Sequence, residues 1–538
     1  MQVRVWHWIL GFVLCALLGY WLALSAVPRV VPRSHSEESP TAPVACTAQE
    51  AMPRFGKGER VARQTGDKEA LKAGALEGQR VLIFKDKAAM ERFLAGMGSG
   101  LRLLGRLDAL HALRVGFADE GDLLAGLDGE DLSFIFSVNA PLPVEGSVQP
   151  GAVAMGNHLL DWLGISGNNS DAGKGVLIAI LDTGVTASPA FASRIRSMNL
   201  VDLPSDPAAQ NGHGTAVASM IIGNTALSPG VAPGADILSI RIANDNGQSD
   251  SFLLAQGIIA AVDAGARLIN ISFGSEGDSL IVRKALDYAI ERGALIAAAA
   301  GNNGSDQVSY PAANAGVIAV GSVDALGNHL DFSNTGNSID LAAPGYGLNA
   351  AWSGDQTMSV SGTSFSAPIV IGAIAYIMTE AGAGNLTSAQ AYQQLVAYLN
   401  DGGAAGKDPE LGGGMLDLGR VLNANTAGIY DGAVASSRIL APDAGNPYGQ
   451  VEILIQNRGT ETLINSAVHV STGSSVVTTN ITSLAPNAVQ TVRVPVPQQV
   501  GVEGSIRVTA QVVLTGGYQD AKPSNDRRVE TYVRAGSQ

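Results

Sequence analysis

The spacing of apolar and polar residues changes character several times along this chain. Residues 6–27 are almost entirely apolar, with Arg4 before them and Arg29 and Arg33 after. Residues 28–75 show no apolar period, and Ser34-His35-Ser36-Glu37-Glu38-Ser39-Pro40 is polar and proline-punctuated, as linkers are. Periodicity then returns. Residues 80–84 predict a strand, and residues 87–97 predict a helix with Met90, Phe93, Leu94 and Met97 on one face. Strands at 101–107 and 112–117, a short helix at 123–127 and a strand at 132–138 follow. The order β-α-β-β-α-β predicts a small ferredoxin-like α+β unit over residues 76–145.

Residues 150–428 read differently. Residues 176–181 form a continuous apolar run, as a strand buried on both faces does, and 237–242, 268–271, 295–299 and 317–320 repeat it. Helical stretches such as 252–262 and 280–290 lie between them. The alternation predicts an α/β fold, a doubly wound and mostly parallel sheet with helices on both faces. From residue 433 to 535 short strands at 451–455, 468–470, 492–494 and 506–513 are separated by turn signals such as Asn457-Arg458-Gly459 and Gly516-Gly517. That pattern predicts an all-β, immunoglobulin-like sandwich.

Bulk composition narrows the classes. A chain of 538 residues implies two or three domains. The formal net charge of -14 argues against nucleic acid as a partner. Cys15 and Cys46 both precede the folded regions, so no disulfide can staple those regions. The apolar run at 1–27 is longer than the centre of a common signal peptide and close to the roughly 20 residues that span a bilayer. Leu24 is bulky where a cleavage site prefers a small residue. These features favour a signal anchor over a cleaved signal, with the membrane as a partner. On either reading the rest of the chain is exported, facing outside the cytoplasm or secreted.

Candidate chemistry is concentrated in Leu181-Asp182-Thr183-Gly184-Val185, Asn211-Gly212-His213-Gly214-Thr215 and Ser361-Gly362-Thr363-Ser364-Phe365-Ser366-Ala367-Pro368. A serine hydroxyl is a poor nucleophile at neutral pH. It needs a histidine to take its proton and a carboxylate to orient that histidine. Asp182, His213 and Ser364 supply these groups, each in a frame of small residues. Singly, each motif has an ordinary reading. Asp-Thr-Gly can end a strand in a turn, and aspartic proteases need two copies where this chain has one. Gly-Thr-Ser can cap a helix. A core histidine, however, rarely has glycine on both sides. No His/Cys/Asp set has zinc spacing, so no metal ligand is assigned.

In these three segments and several between them, residues 150–425 resemble the subtilisin-like (subtilase) serine endopeptidases. The resemblance assigns Asp182, His213 and Ser364 to the triad. It assigns Asn302, in Ala299-Ala300-Gly301-Asn302-Asn303-Gly304, to the oxyanion hole. It implies that Ser272, Phe273 and Gly274 line the substrate groove. It also implies that Ala300, Gly301 and Ser309 bound the S1 pocket, whose small uncharged residues suggest apolar P1 side chains. No cofactor is required for the chemistry. The family's tight calcium site uses a longer loop than residues 224–230, which leaves structural calcium open. Two departures are Ala216, where a second histidine is common, and Phe365, where bacterial members often carry Met. Residues 76–145 are similar to the family's propeptide, and residues 433–535 to adhesion-related modules of bacterial surface proteins.

The resulting expectation is an exported endopeptidase made as a self-processing zymogen, with protein or peptide substrates and its own propeptide as intramolecular inhibitor. Its maturation site is expected between about residues 143 and 155. Two other readings remain: a catalytically silent fold used for binding, and a surface-adhesion protein acting through the carboxy-terminal module.

Overall fold

Residues 81–84 are apolar without interruption, and the short sheet they belong to is covered on both faces. The computed structural model describes residues 68–533, apart from 126, 128, 140–148, 192–194, 202–210, 381–385, 443–444, 448, 474 and 497–504. These residues lie within one compact unit running from Gly56 to Gln538. Strands β1 (Gln79–Ile83), β2 (Leu101–Leu107), β3 (Ala112–Phe117) and β4 (Asp131–Ser133) form an antiparallel sheet in the order β2-β3-β1-β4. Side chains alternate between faces. Leu82, Phe84, Leu113 and Val115 pack on the helix Lys87–Ala95 through Met90. Val81, Ile83, Leu107 and Ala112 turn the other way and join a larger core.

The strand expected at 132–138 divides in two. After β4 the chain leaves its sheet, and β5 (Ser137–Asn139) pairs antiparallel with β9 (Gln248–Asp250) of the following region. Ile135 and Val138 are buried there at 0% and 1% exposure. The apolar run therefore serves two sheets, which its pattern alone does not reveal.

The central layer has β6 (Leu177–Asp182), β7 (Ile195–Asn199), β8 (Asp236–Arg241), β10 (Leu268–Ile271), β11 (Leu295–Ala299), β12 (Val317–Val323) and β13 (Leu341–Pro344). Its order is β13-β12-β11-β10-β6-β8-β7 and every pairing is parallel. Ile178 and Ile180 face the helices His213–Ile222 and Thr363–Thr379. Ala179 and Leu181 face the helices Ser251–Asp263 and Leu280–Glu291. Both faces are dry, which explains the continuous apolar runs. Strand order reverses at β6, so a crevice opens beyond the carboxyl ends of β6 and its neighbours.

Val81 and Ile83 share their core with Phe252, Ile281 and other residues of those last two helices. Polar contacts reinforce the junction. Asp250 caps the helix Ser251–Asp263 by accepting from the backbone N–H groups of Phe252 and Leu253, and it also pairs with Arg114 at 2.8 Å. The Ser251 N–H donates to the carbonyl of Phe136. One helix terminus thus joins the first unit to the second.

A hairpin of β14 (Leu348–Trp352) and β15 (Gln356–Val360) precedes the helix Thr363–Thr379. Beyond it, β16 (Gly432–Leu440), β17 (Gln450–Asn457) and β20 (Val489–Pro495) form one sheet. Strands β18 (Leu463–Thr472), β19 (Val476–Leu484), β21 (Ser505–Val513) and β22 (Arg527–Val533) form the other, in the order β19-β18-β21-β22. Val451, Ile453 and Ile455 from the first sheet meet Val468, Val470, Val508 and Val512 from the second. Strands β16 and β19 were not predicted, because their Ser, Thr and Asn content masks the alternation. The seam with the central region is polar. Arg420 donates to the carbonyls of Tyr398, Leu399 and Arg458 and to the side chains of Asn400 and Asn487. Burial lowers its pKa to about 10.

The membrane expectation is corrected. Among the described residues no helix is long and apolar enough to cross a membrane. The 6–27 segment lies outside the described residues, and the membrane is not retained as a partner.

Two predictions come from the carboxy-terminal region, both measured in an inactive Ser364→Ala background. Arg420→Ala strands several buried acceptors at once and is expected to cost about 3–5 kcal/mol in urea unfolding; a change below about 1 kcal/mol would count against the seam. Asp526 shares a hydrogen bond with Asp520 near Asp431, and desolvation followed by these like charges raises its pKa to about 7. Burial also raises Asp431, while Asn525, Arg458 and Lys522 oppose that shift. A raised carboxyl pKa favours the protonated folded form, so the stability it adds at acid pH is lost as pH rises through about 7. The melting temperature should fall from about pH 4 to about pH 7, and Asp526→Asn should flatten that slope. An unchanged slope in Asp526→Asn would refute the assignment.

Candidate active site

Asp182 is the last residue of β6 and is fully buried at the mouth of the crevice. Its Oδ1 accepts from the Thr183 N–H at 2.7 Å and faces His213 Nδ1 at 2.8 Å. An ionised carboxylate only accepts, so the imidazole proton sits on Nδ1 and Nε2 keeps its lone pair. His213 opens the helix His213–Ile222, and its backbone N–H is held by Asn211 Oδ1 at 2.9 Å. Thr183 Oγ1 accepts from the Gly214 N–H, tying that helix to the end of β6.

The glycines on either side of His213 each have a steric reason. A Cβ on Gly214 would stand 2.3 Å from the Gly184 carbonyl oxygen and 3.1 Å from Asp182 Oδ1. A Cβ on Gly212 would overlap the Trp352 indole at 2.4 Å. Neither position can carry a larger residue without moving the pair it frames.

Ser364 is the second residue of the helix Thr363–Thr379 and is 2% exposed. Gly362 just before it has φ 138°, a conformation that favours glycine. Ser364 Oγ donates to the Ser272 carbonyl at 3.3 Å. The nucleophile therefore rests on β10's continuation rather than on His213. The His213 ring is bracketed by Phe365, centroids 5.4 Å apart, and by Phe273 at 6.1 Å edge-on. Phe365 follows Ser364 directly, so this contact brings histidine and serine to the same mouth.

Asn302 lies in the same mouth. Its Oδ1 accepts from the Thr363 N–H at 2.9 Å and from Thr363 Oγ1 at 2.8 Å. Thr363 Oγ1 in turn accepts from the Gly301 N–H. With Oδ1 occupied, the Nδ2 group is left facing the Gly362–Ser364 backbone, 2.8 Å from where a Gly362 Cβ would lie.

The expected groove residues have unequal positions. Ser272 and Phe273 are fully buried, and Ser272 Oγ donates to the Ser364 carbonyl at 2.7 Å. Only Gly274 presents backbone outward; its N–H and C=O bond to Asn139 at 3.2 and 3.1 Å. Ala300 is buried. A Cβ on Gly301 would stand 2.3 Å from Asn334 Nδ2 and 2.5 Å from Ser309 Oγ. The expected apolar pocket thus has a hydroxyl and an amide beside it. Asn334 also accepts from the N–H groups of Asn303 and Ser305, fixing that loop. Asn334, Thr363, Asn211 and Thr183 were not singled out as site residues. The last three stand inside the quoted motifs, whereas Asn334 lies 25 residues beyond Ser309 with no local signal.

The base, carboxylate and nucleophile all come from the chain, so the chemistry needs no metal. Among the described residues no group of three or more His, Cys, Asp or Glu side chains is placed to hold one. The short loop after the His213 helix closes tightly, Asn224 bridging to Pro229.

Residues 173–414 match the model of the subtilase family. Subtilisin BL of Lederbergia lenta is 36% identical over 214 residues, covering 39% of this chain and 78% of that protein. Thermitase of Thermoactinomyces vulgaris is 37% identical over 205 residues, 37% of this chain and 74% of that protein. The epidermin leader peptide processing serine protease of Staphylococcus aureus covers 65% of this chain and 98% of its own at TM-score 0.52 and 22% identity, a likeness of fold alone. A buried aspartate–histidine pair at the carboxyl end of a parallel sheet, together with relatives matched over most of their length, establishes that this chain belongs to the subtilase family of serine endopeptidases.

Proposed function

We propose that the chain is an exported endopeptidase made as a self-processing zymogen, with Asp182, His213, Ser364 and Asn302 as its reacting groups. Asp182 orients His213 and stabilises the imidazolium. In the reaction Ser364 Oγ exchanges the Ser272 carbonyl for His213 Nε2, which takes its proton as the oxygen attacks the peptide carbonyl. The proton then goes to the leaving amine, and water releases the acyl group by the same route. Asn302 Nδ2 and the Ser364 N–H receive the oxyanion in both steps. The arginine-led apolar segment at 6–27 supports export.

Residues 76–145 are read as a ferredoxin-like inhibitory propeptide, 150–428 as the catalytic domain and 433–535 as an immunoglobulin-like module. The observation that carries the zymogen reading is the exchange of both backbone hydrogen bonds between Asn139 and Gly274. It is the addition of an extended strand to an open edge, as a bound peptide is held. Gly274 lies two residues after Ser272, whose carbonyl holds Ser364 Oγ, so this strand addition is made close to the proposed nucleophile. Residues from Gln149 onward are tied to the central region, Gln149 to His329 and Met155 to Tyr346. The first bond cut is expected between about residues 143 and 155.

Two experiments test these roles. Asn302→Ala is expected to lower kcat about 10²–10³-fold with little change in KM, since its hydrogen bond strengthens as charge develops. Thr363→Val removes one of the two bonds that aim Asn302 and is expected to lower kcat about tenfold. A KM effect with kcat intact would remove both from oxyanion binding. Ser364→Ala is expected to accumulate as the full precursor, while the active chain yields a new amino terminus between about residues 143 and 155. Normal maturation of Ser364→Ala made without other proteases would refute self-processing.

A further inference from the structure

The two sheets of the carboxy-terminal region have four edges, and three of them are guarded. Strand β22 carries Arg527, Arg528 and Glu530. Strand β20 carries Arg493 and ends at Pro495. Strand β16 carries Arg438 and is interrupted by a bulge at Val434–Ser436. Charge, proline and bulges are the means by which sheet edges avoid pairing with other chains. Strand β19, Val-Val-Thr-Thr-Asn-Ile-Thr-Ser-Leu, has none of them and runs unbroken for nine residues.

The neutrality extends beyond the strand. From Thr462 to Val492 the chain contains no Asp, Glu, Lys or Arg, although its net charge is -14. The sandwich core is also open at this edge. Val470 is 1% exposed, yet its cross-strand partner Val477 on the same face is 40% exposed, and Val476 is 64% exposed. An edge of this kind is completed by another strand. Two chains of like charge approach most easily where neither carries charge. An antiparallel strand pair about a two-fold axis is self-complementary, so a second copy meets every requirement of this edge.

The register follows from what is already used. The Leu484 carbonyl is taken by Asn457 Nδ2 at 2.8 Å; among the described residues, 476–482 pair with no strand but β18, and their midpoint is Thr479. We propose that β19 is the contact strand of a dimer of this chain, pairing antiparallel with β19 of a second copy with Thr479 on the two-fold axis. Val477 then lies opposite Ile481 of the second copy, closing the apolar row. Thr478 lies opposite Asn480, both on exposed positions.

The test is sedimentation of the full chain carrying Ser364→Ala, over a concentration series, with and without further substitutions. The parent is expected to reach twice the monomer mass. T478K/N480K sets lysine opposite lysine twice across the axis and is expected to remain monomeric. T478K/N480E carries the same lysine but sets it opposite a glutamate, and is expected to dimerise like the parent. A parent that stays monomeric throughout, or T478K/N480K that dimerises unchanged, overturns the proposal. Loss of the dimer in T478K/N480E as complete as in T478K/N480K overturns it as well, because the stated register would then be wrong.

Discussion

The hydrogen bond between Asp182 and His213 sets the terms for the rest of this molecule. A carboxylate at 0% exposure is tolerated only when its charge is met by donors in fixed positions. Here the donors are the Thr183 N–H and the His213 ring. Fixing them requires β6 to end at one residue and the helix His213–Ile222 to begin within contact of it. Gly214 exists to permit that approach, and Thr183 locks it. The parallel sheet is the frame that makes this precision possible, since β6 and its neighbours β8 and β10 are buried on both faces and have little freedom at their ends.

The nucleophile is brought to the same place by a different device. The helix Thr363–Thr379 passes through the core on the opposite face from the helices that receive the amino-terminal unit. Thr363 links its start to Asn302, and Ser272 links it to β10. Ser364 and Asn302 are thus both tied to the first turn of that helix. The Ser364 hydroxyl is held by its bond to the Ser272 carbonyl.

The two flanking units are attached by contrasting chemistry. The amino-terminal sheet lays apolar side chains on two helices and completes the capping of one of them. The carboxy-terminal sheets meet the centre through Arg420, Arg458, Asp401 and Gln456, with few apolar contacts. An apolar face with its own small core can separate and remain folded. A seam of buried arginine and backbone carbonyls loses its partners all at once, because each group left unpaired in the interior is costly.

Much of this was legible in the sequence. Continuous apolar runs located the strands of the central sheet because burial on both faces leaves no alternative residue type. The Asp182–His213 pair was visible as two motifs with small neighbours, and Ser364 was proposed from a third of the same kind. The limits were physical as well. The division of 132–138 between two sheets depends on which surface each half meets, and alternation is the same in both cases. Strand β19 escaped because Thr478, Thr479, Asn480, Thr482 and Ser483 break up the apolar alternation that Val477, Ile481 and Leu484 would otherwise show. The role of Asn334 could not be read because its partners at 303, 305 and 309 become neighbours only when a loop folds back on it. The sequence by itself determined the central sheet and the motifs that carry the proposed reacting groups, since both are written in local residue type. Only the tertiary structure decided where Asn139 would pair, what lines the pocket beside Gly301 and which sheet edge remains open, because each depends on contacts between residues far apart in the chain.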